Sequence, residues 1–492
     1  MNHGKPLKDS DTFFSLPSIQ LALKKEQKDM ANVLLKVLEK VVPSEDEVRR
    51  IKNLAKKIKS KLERILRDIG IQAFVEIEGS VAKGTWISGH VDFDVFILLP
   101  PPKTRNYKPM LEELLNKIAK KTDWSTQIRY AEHPYLHIWI DNYEADIVPA
   151  FKTPPDNIVS AVDRTPHHTR YVRSVLSEEL KNEVRLLKTF LRGIGAYGAE
   201  IKVGGFSGYS CELLIMHFGS FLRTIEDLSK RKRIFIDPTN TWTPKDAFRK
   251  FNHFFILVDP VDRNRNVTSA LREETFSRMQ LMSKLFLVHP TIKFFFPEPT
   301  ISYPPKREAL IDGISKRNIC IIVLKRKNIS PDVYWGQTFK IMHRIRRLLE
   351  RSEYSLLFID TIEGKSSMII LIETKFRSIP TPRKIVGPPT YASIDNILSF
   401  INKYYEKSIA GPWIEKSRIV FLVEETESID DFLHRYVSAV KLEPSFHSFE
   451  IISNPKKIIE YIHKENVFRK FCEIISRRWI LEYLEKNYSS TS

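Results

Sequence analysis

Residues 79–86 read GSVAKGTW and residues 91–99 read VDFDVFILL. The second segment has the apolar composition of a half-buried strand, and it carries Asp92 and Asp94 two positions apart. Because side chains alternate along a strand, both carboxylates point to one face while the odd-numbered apolar residues face the core. Two such charges raise each other's pKa, which a fold tolerates most readily when a cation lies between them. The segment therefore predicts a cation site, and hard oxygen ligands favour Mg²⁺.

A third carboxylate follows in a second strand-like segment, YEADIVP at residues 143–149. If this strand pairs beside the first, Asp146 joins the other two aspartates in the three-carboxylate cage that two-metal phosphoryl transfer requires. Gly79 and Ser80 are predicted to bring a backbone N–H and a hydroxyl close to a triphosphate, and Lys83 adds a cation. A lone pair of aspartates is commonly solvated on an edge strand. The ordered set instead predicts a nucleotidyltransferase site.

The overall composition limits the classes that remain. A chain of 492 residues is expected to form two to four domains. Its apolar runs are too short to cross a bilayer, and its first residues lack the apolar core of a secretory signal. Three scattered cysteines, Cys211, Cys320 and Cys472, do not provide a disulfide or zinc framework. We therefore expect a protein of the reducing cytoplasm with no membrane span.

The formal charge of +18 favours a polyanionic partner, and nucleic acid is the leading one. The alternative is a solvated basic surface, as in proteins from hot environments. Basic runs at residues 230–233 and 344–347 have Trp242, Tyr334 and Trp335 nearby in the sequence. We expect these runs to follow RNA phosphates, although they are also compatible with ordinary surface.

Periodicity divides the chain into four parts. Residues 1–43 form an N-terminal extension that contains an amphipathic stretch over 19–42. Residues 44–150 form the head, with a helix that begins at the Ser44 capping box and ends at Gly70. Its small mixed sheet is predicted from strands at residues 73–77, 91–99, 136–140 and 143–148.

Residues 151–290 are predicted to be mainly helical, with helices from Ser177, over 207–224, and through Leu281 and Leu285. Prolines at 297, 299, 304 and 305 mark a boundary, and residues 291–492 form a C-terminal α+β body with a basic tail. Its elements are predicted in the order βαββαβ, typical of ferredoxin-like and RNA-recognition folds. They are a strand at 319–324, a helix over 331–346, a hairpin of 355–362 and 367–375, a helix from 393 and a strand at 418–423.

Five further segments follow the carboxylates in a characteristic order. They are SAVDRTPHH at 160–168, NEVRLLK at 182–188, YGAE at 197–200, GFSGYSCELL at 205–214, and VDPVD at 258–262 followed by RNV at 265–267. With the first two motifs, residues 75–270 resemble the archaeal (class I) CCA-adding enzymes, tRNA nucleotidyltransferases of the DNA polymerase β-like superfamily. The resemblance implies an α+β multidomain fold with a polymerase β-like head, a mainly helical central domain and a ferredoxin-like C-terminal domain.

The resemblance also implies roles for individual residues. Asp92 and Asp94 would hold the triphosphate metal, and Asp146 would help to activate an RNA 3′-hydroxyl, with two Mg²⁺ ions bound. The implied nucleotide contacts are Gly79, Ser80, Lys83, Thr165, His168, Lys188 and Tyr197, with Arg265 reading the base edge of CTP or ATP. Lys83 stands where the family commonly has arginine. Lysine keeps the positive charge but lacks the bidentate hydrogen-bonding fork of arginine. Thr169 stands where a second histidine is frequent.

Some of these residues have plainer interpretations. His168 is also compatible with a hydrogen-bonded structural histidine, Lys188 with a solvated helix position, and Tyr197 with core packing. The implied function is template-independent addition of CCA to tRNA from CTP and ATP, with contacts to the acceptor stem and T-arm side and a homodimeric assembly. The alternatives are a poly(A) polymerase-like or oligoadenylate synthetase-like enzyme, or a non-catalytic RNA-binding protein on the same scaffold.

Overall fold

The strand that carries Asp92 and Asp94 lies second in a five-stranded sheet of order β1-β2-β5-β4-β3. The strands are β1 (Phe74–Glu78), β2 (Asp92–Leu99), β3 (Ser125–Tyr130), β4 (Pro134–Ile140) and β5 (Tyr143–Phe151). β2 and β5 run parallel, and the other neighbouring pairs are antiparallel. The predicted pairing of the two aspartate strands is therefore confirmed, whereas β3 had no clear sequence signal.

The computed structural model describes residues 15–25, 27–104, 106–130, 133–297, 307–439 and 442–476. They divide into two compact units, 15–297 and 307–476. The first unit has the helices α1 (Pro17–Lys24), α2 (Lys28–Val41), α3 (Glu45–Asp68), α4 (Gly79–Lys83), α5 (Lys108–Lys121), α6 (Thr165–Val175), α7 (Glu178–Gly193), α8 (Gly208–Phe218), α9 (Phe221–Leu228), α10 (Pro244–Phe251) and α11 (Glu273–Val288). It also has 3₁₀ turns at Ala161–Arg164 and Ile292–Phe294, and a short parallel pair of β6 (Ile234–Ile236) and β7 (Phe255–Leu257).

One face of the five-stranded sheet is packed against helices. Helix α3 begins at Ser44, whose hydroxyl accepts a hydrogen bond from the Glu47 N–H at 3.2 Å. Apolar side chains on α3 and α5, together with Phe93 and Val95 of β2, form one buried cluster. Because this face is occupied by the core, the even-numbered side chains of β2 point to the opposite face.

The N-terminal extension does not stand apart from the rest of the unit. The predicted stretch over 19–42 forms two helices, α1 and α2, and their apolar residues share one core with Phe190 and Phe221 of the central helices. The Ser18 N–H donates to the buried Glu183 carboxylate at 2.8 Å. The predicted helix over 207–224 is likewise two helices, because Gly219 adopts a φ of +78° between them.

The second unit has the expected ferredoxin-like order, with one correction. Its elements are α12 (Arg307–Lys316), β8 (Ile319–Arg326), α13 (Pro331–Glu350), β9 (Leu356–Glu363), β10 (Ser367–Thr374), β11 (Ser378–Pro389), α14 (Ile394–Tyr404), a 3₁₀ turn (Tyr405–Lys407), β12 (Ser408–Glu415), β13 (Arg418–Ser428), α15 (Ile429–Ala439), β14 (Phe446–Ile452), α16 (Pro455–Lys464) and α17 (Phe468–Ser476). The main antiparallel sheet has the order β14-β8-β10-β9.

The correction concerns the last helix and strand of the βαββαβ series. In the structure they are α15 and β14. The predicted strand, β13, instead lies in a separate sheet of order β11-β13-β12 that is inserted after β10, and the predicted helix, α14, is part of the same insertion. Short apolar strands look alike in sequence, so periodicity could not decide which sheet each one joins. The predicted basic tail from residue 477 onward lies outside the described residues. No helix of the described ranges combines the length and apolarity needed to span a bilayer.

Candidate active site

The five strands align a row of polar side chains across the sheet face opposite α3 and α5. Asp94 lies opposite Asp146 in the parallel pair of β2 and β5. In the antiparallel pairs, Glu78 of β1 lies opposite Asp94, and His137 of β4 lies opposite Asp146. Directly opposed residues share a face, so the candidate carboxylates lie side by side, with Asp92 two residues before Asp94.

The electrostatics of this row show that its charges lack full compensation. Burial, followed by the negative charge of Asp146, raises the pKa of Asp94 to about 6, and Asp92 adds to the effect. Lys83 opposes the shift without cancelling it. A cation bound beside Asp94 would favour the ionised form of its carboxyl and relieve the repulsion between the aspartates.

The backbone at Gly79 lies close against the Asp94 carboxylate. Gly79 has a φ of +65°, and a Cβ at this position would lie 1.8 Å from Asp94 Oδ2. Only glycine therefore allows this approach of the chain to the carboxylate. Among the described residues, no three His, Cys, Asp or Glu side chains already form a metal-binding group. The carboxylate oxygens of Asp92, Asp94 and Asp146 are hard donors of the kind that bind a divalent cation. Binding such a cation would bring the three side chains closer together.

The third carboxylate is held from its other side by a histidine. His137 is 4% exposed, and its Nδ1 lies 2.6 Å from Asp146 Oδ1. Because a carboxylate accepts, Nδ1 carries the proton in this hydrogen bond. The opposite ring nitrogen, Nε2, lies 3.3 Å from Glu144 Oε2. Asp146 is thus oriented by a side chain that no sequence motif had marked.

Two predicted nucleotide contacts, Lys83 and Lys188, meet on one buried carboxylate. Lys83 Nζ donates to Glu212 Oε2 at 2.8 Å, and Lys188 Nζ lies 3.4 Å from Glu212 Oε1. Thr85 donates to Glu212 Oε1 at 2.6 Å and accepts from Lys188 Nζ at 3.0 Å. Lys188 is only 2% exposed, so its alternative interpretation as a solvated helix residue is wrong.

The charges of this group stabilise one another across the first unit. Burial alone would raise the pKa of Glu212, but the charges of Lys83 and Lys188, with hydrogen bonds from Lys83 and Thr85, hold it below its ordinary value. Glu212 is therefore ionised and shared by two ammonium groups. Since Lys83 belongs to α4 beside the sheet, and Lys188 and Glu212 belong to the central helices, the group ties the head to the central domain.

A second buried carboxylate organises the other predicted contacts. Asp259 Oδ2 lies 2.8 Å from His168 Nε2 and 3.0 Å from Arg265 Nη1, and Oδ1 accepts from the Tyr209 hydroxyl at 3.0 Å. The His168 ring stacks on Tyr209 with centroids 4.0 Å apart. Burial would raise the pKa of Asp259, but the His168 hydrogen bond, with other partners, lowers it to about 2. Burial lowers the pKa of His168 despite this contact.

The remaining predicted residues lie beside these groups. Ser80 is on α4, Thr165 is the first residue of α6, and these two helices contact each other. A Cβ at Gly208 would lie 3.1 Å from the Tyr197 hydroxyl and 3.5 Å from Lys188 Cε, so both side chains border that glycine. Lys83 Nζ lies 5.2 Å from the Tyr209 ring centre and links the two buried carboxylate groups. Arg265 contacts the same Asp259 oxygen as His168.

Glu212, Asp259 and His137 received no role from the sequence. Glu212 and Asp259 stand inside quoted motifs, where a charged residue within a buried apolar run was the available signal. His137 had a weaker one, because it alternates with apolar residues on a strand. The three cysteines are buried and unpaired, as the sequence indicated.

Comparison with known families covers most of the chain in three segments. Residues 23–168 match a nucleotidyltransferase domain, residues 182–296 match the second domain of tRNA nucleotidyltransferases, and residues 316–440 match the C-terminal domain of CCA-adding enzymes. The head, the helical central part and the second unit thus correspond, in order, to parts of one enzyme family.

Curated relatives extend over nearly the whole chain. The CCA-adding enzyme of Saccharolobus shibatae is 36% identical over 440 residues, which are 88% of this chain and 99% of that protein. Those of Pyrobaculum islandicum and Sulfurisphaera tokodaii are 33% and 34% identical, over 83% and 82% of this chain and 94% and 91% of theirs. Identity at this level across all three segments leaves no other assignment: the chain belongs to the archaeal CCA-adding enzymes, a family of nucleotidyltransferases.

Proposed function

We propose that this protein adds C, C and A to the 3′ end of tRNA from CTP and ATP, without a nucleic-acid template, and releases pyrophosphate. The observation that carries the proposal is the register of β2 and β5, which sets Asp94 directly opposite Asp146 with Asp92 nearby. The family membership favours tRNA as the acceptor and disfavours a poly(A) polymerase or a non-catalytic RNA-binding protein.

In the proposed reaction the RNA 3′-hydroxyl attacks the α-phosphate of the nucleotide, and the bond to the bridging oxygen of the β-phosphate breaks. Asp146 orients and helps to activate the hydroxyl, and Asp92 and Asp94 face the triphosphate. Two bound Mg²⁺ ions, held by these three carboxylates, would neutralise the phosphates and lower the pKa of the attacking hydroxyl. The side chains otherwise contribute mainly by positioning the reactants.

Lys83, Lys188 and Ser80 are proposed to receive the triphosphate. Lys83 and Lys188 share the single carboxylate of Glu212 in a buried group. Burial lowers the pKa of Lys188, and a phosphate beside this group would favour the charged form of the lysine. A triphosphate placed beside it gains a strong electrostatic interaction because little solvent screens the charges. Gly79, Thr165, His168 and Tyr197 border the same region, and Arg265, held by Asp259, is proposed to read the base edge.

We further propose that the basic second unit binds the acceptor stem and T-arm side of tRNA. The match of residues 316–440 to the C-terminal domain of CCA-adding enzymes supports this role. The homodimer and the cytoplasmic location expected from the sequence stay predictions.

The test is primer extension on tRNA that lacks its last three nucleotides, with Mg²⁺ and CTP, ATP or both. We expect growth by two nucleotides with CTP alone and by three with both, and loss of all growth in Asp92→Ala. Long adenosine tails with ATP alone would instead show a poly(A) polymerase. No extension by the folded wild-type chain would contradict the enzymatic proposal altogether.

A further inference from the structure

His137 touches the proposed catalytic centre without belonging to any motif. It lies on β4, directly opposite Asp146 of β5, and the same row continues to Gln127 on β3. Gln127 is exposed, whereas His137 is 4% exposed. A polar ring buried beside a carboxylate costs desolvation unless its hydrogen bonds are made, so its presence here calls for a specific contact.

That contact is the hydrogen bond from His137 Nδ1 to Asp146 Oδ1 at 2.6 Å. It restricts rotation of the carboxylate about its Cβ–Cγ bond and determines which oxygen the histidine occupies. The ring itself is immobilised by burial and by Trp139, whose ring meets it edge-on at 4.5 Å. A rigid donor therefore holds one oxygen of a partly exposed carboxylate, while Asp94 lies on the other side of Asp146.

The second ring nitrogen is in a different situation. His137 Nε2 is buried and makes no hydrogen bond within the described residues, although Glu144 Oε2 lies 3.3 Å away. Glu144 is exposed, so its carboxylate remains free to exchange this weak contact for water. The two sides of the ring thus differ, and only the Nδ1 side has a defined hydrogen bond.

From these contacts we propose that His137 is a positioning residue for Asp146. Its Nδ1–H holds the carboxylate in the orientation that binds a divalent cation and receives the RNA 3′-hydroxyl. Hydrogen bonds from neighbouring side chains commonly orient metal-binding carboxylates in this way. The inference rests on the proposed function, because it assigns His137 to the same reaction through Asp146.

Two substitutions separate the two ring nitrogens. His137→Asn places an amide N–H close to the position of Nδ1 and keeps the bond to Asp146, whereas His137→Gln places its amide near the position of Nε2. His137→Ala removes both. Gln127→Ala is the matched control, because this residue occupies the next place in the same row without contacting a carboxylate of the site.

Primer extension with the full chain supplies the first readout. His137→Ala and His137→Gln are expected to lower kcat by about 10–100-fold, with little change in the KM for CTP, and His137→Asn should recover most of the rate. Gln127→Ala should match the wild type. A merely structural histidine would instead lower stability in all three His137 variants and leave no difference between Asn and Gln; thermal unfolding measures this.

Metal binding supplies the second readout and does not depend on turnover. Mn²⁺ is titrated into each variant with a non-hydrolysable CTP analogue, and free Mn²⁺ is followed by electron paramagnetic resonance. We expect Mn²⁺ binding about 10-fold weaker in His137→Ala and His137→Gln, restored in His137→Asn. Equal or tighter Mn²⁺ binding in His137→Ala would overturn the inference.

The two proposals fail differently. If the wild-type chain does not extend tRNA, the proposed function fails, whatever the variants do. If the wild type extends tRNA and His137→Ala keeps its kcat or its Mn²⁺ affinity, only the role of His137 is wrong.

Discussion

Two buried carboxylates of the sheet, Glu78 and Asp94, and two of the central domain, Glu212 and Asp259, have opposite pKa shifts. On the sheet, Glu78 and Asp94 lie next to each other in register, and burial raises the pKa of both, to about 7 and about 6. In the central domain, cationic or hydrogen-bonding partners lower the pKa of Glu212 and Asp259. Glu212 and Asp259 have partners within the protein that stabilise their ionised forms. Glu78 and Asp94 have fewer such partners, and the charge of Asp94 is compensated only when a cation binds.

The difference lies in how far the fold itself compensates each buried charge. A charge that the fold compensates contributes to stability, because removing one partner leaves the other buried and unpaired. A charge that the fold leaves uncompensated lowers stability, and such charges cluster at functional sites, where a bound ligand compensates them. Substitutions at these two kinds of carboxylate should therefore have opposite effects on stability.

The largest effect is expected at Asp94. Asp94→Asn should lower CCA addition on the order of 10³-fold or more, because the cation loses a charged ligand. The same change should leave the melting temperature equal or higher, since it removes repulsion with Asp146. Asp141→Asn is the control, because Asp141 is exposed and pairs only at the surface with Lys57. Loss of stability in Asp94→Asn would contradict the comparison.

Glu212 should behave in the opposite way. Glu212→Ala leaves Lys83 and Lys188 buried without their shared partner and should cost about 3–5 kcal/mol of unfolding free energy. Denaturant unfolding measures this cost. Glu226→Ala removes a surface partner of Lys25 and Lys230 and should cost less than about 1 kcal/mol. Similar effects of the two variants would show that water replaces Glu212 without penalty.

Glu78 offers a pH-dependent test. Its Oε2 is buried without a hydrogen-bond partner in the described structure, and burial raises its pKa from 4.5 to about 7. The folded state then holds a proton that the unfolded state releases, so stability falls as pH rises from 4.5 through 7. Glu78→Gln should be more stable than the wild type by up to about 3 kcal/mol at pH 8.

The advantage of Glu78→Gln should disappear near pH 4.5, where the carboxyl is protonated in both states. Thermal unfolding across this range provides the measurement. An advantage that does not change with pH would show that packing, rather than ionisation, separates the two proteins.

Asp259 should show the opposite pH dependence of stability to Glu78, with a smaller change in the free energy of unfolding. Its pKa falls from 3.8 to about 2, so the stability it provides is present above pH 3.8 and is lost as pH falls toward 2. Asp259→Asn should cost about 2 kcal/mol at pH 7, and the gap from the wild type should narrow below pH 4. Urea unfolding at several pH values tests the sign. A gap that widens in acid would mean that Asp259 is not held ionised by His168 and Arg265.

The elements found correctly from the sequence are those with a local signal. The apolar residues of the helix from Ser44 repeat every three to four positions, and those around Asp92 and Asp94 alternate with the two aspartates. Both patterns are complete within one continuous segment, so no distant residue is needed to recognise them. The sequence also predicts the ferredoxin-like order of the second unit, but it places α14 and β13 in that order, because membership in a sheet depends on distant pairings. The N-terminal helices joined the central core for the same reason.

The sequence by itself determined the strand chemistry of this protein: two aspartates on one face of a strand and a third on a second apolar strand. Only the tertiary structure decided which charges are compensated. Lys83 and Glu212 are 129 positions apart, and His168 and Asp259 are 91 apart. A carboxylate's pKa depends on burial and on charges within a few ångströms, and those neighbours are known only once the chain has folded.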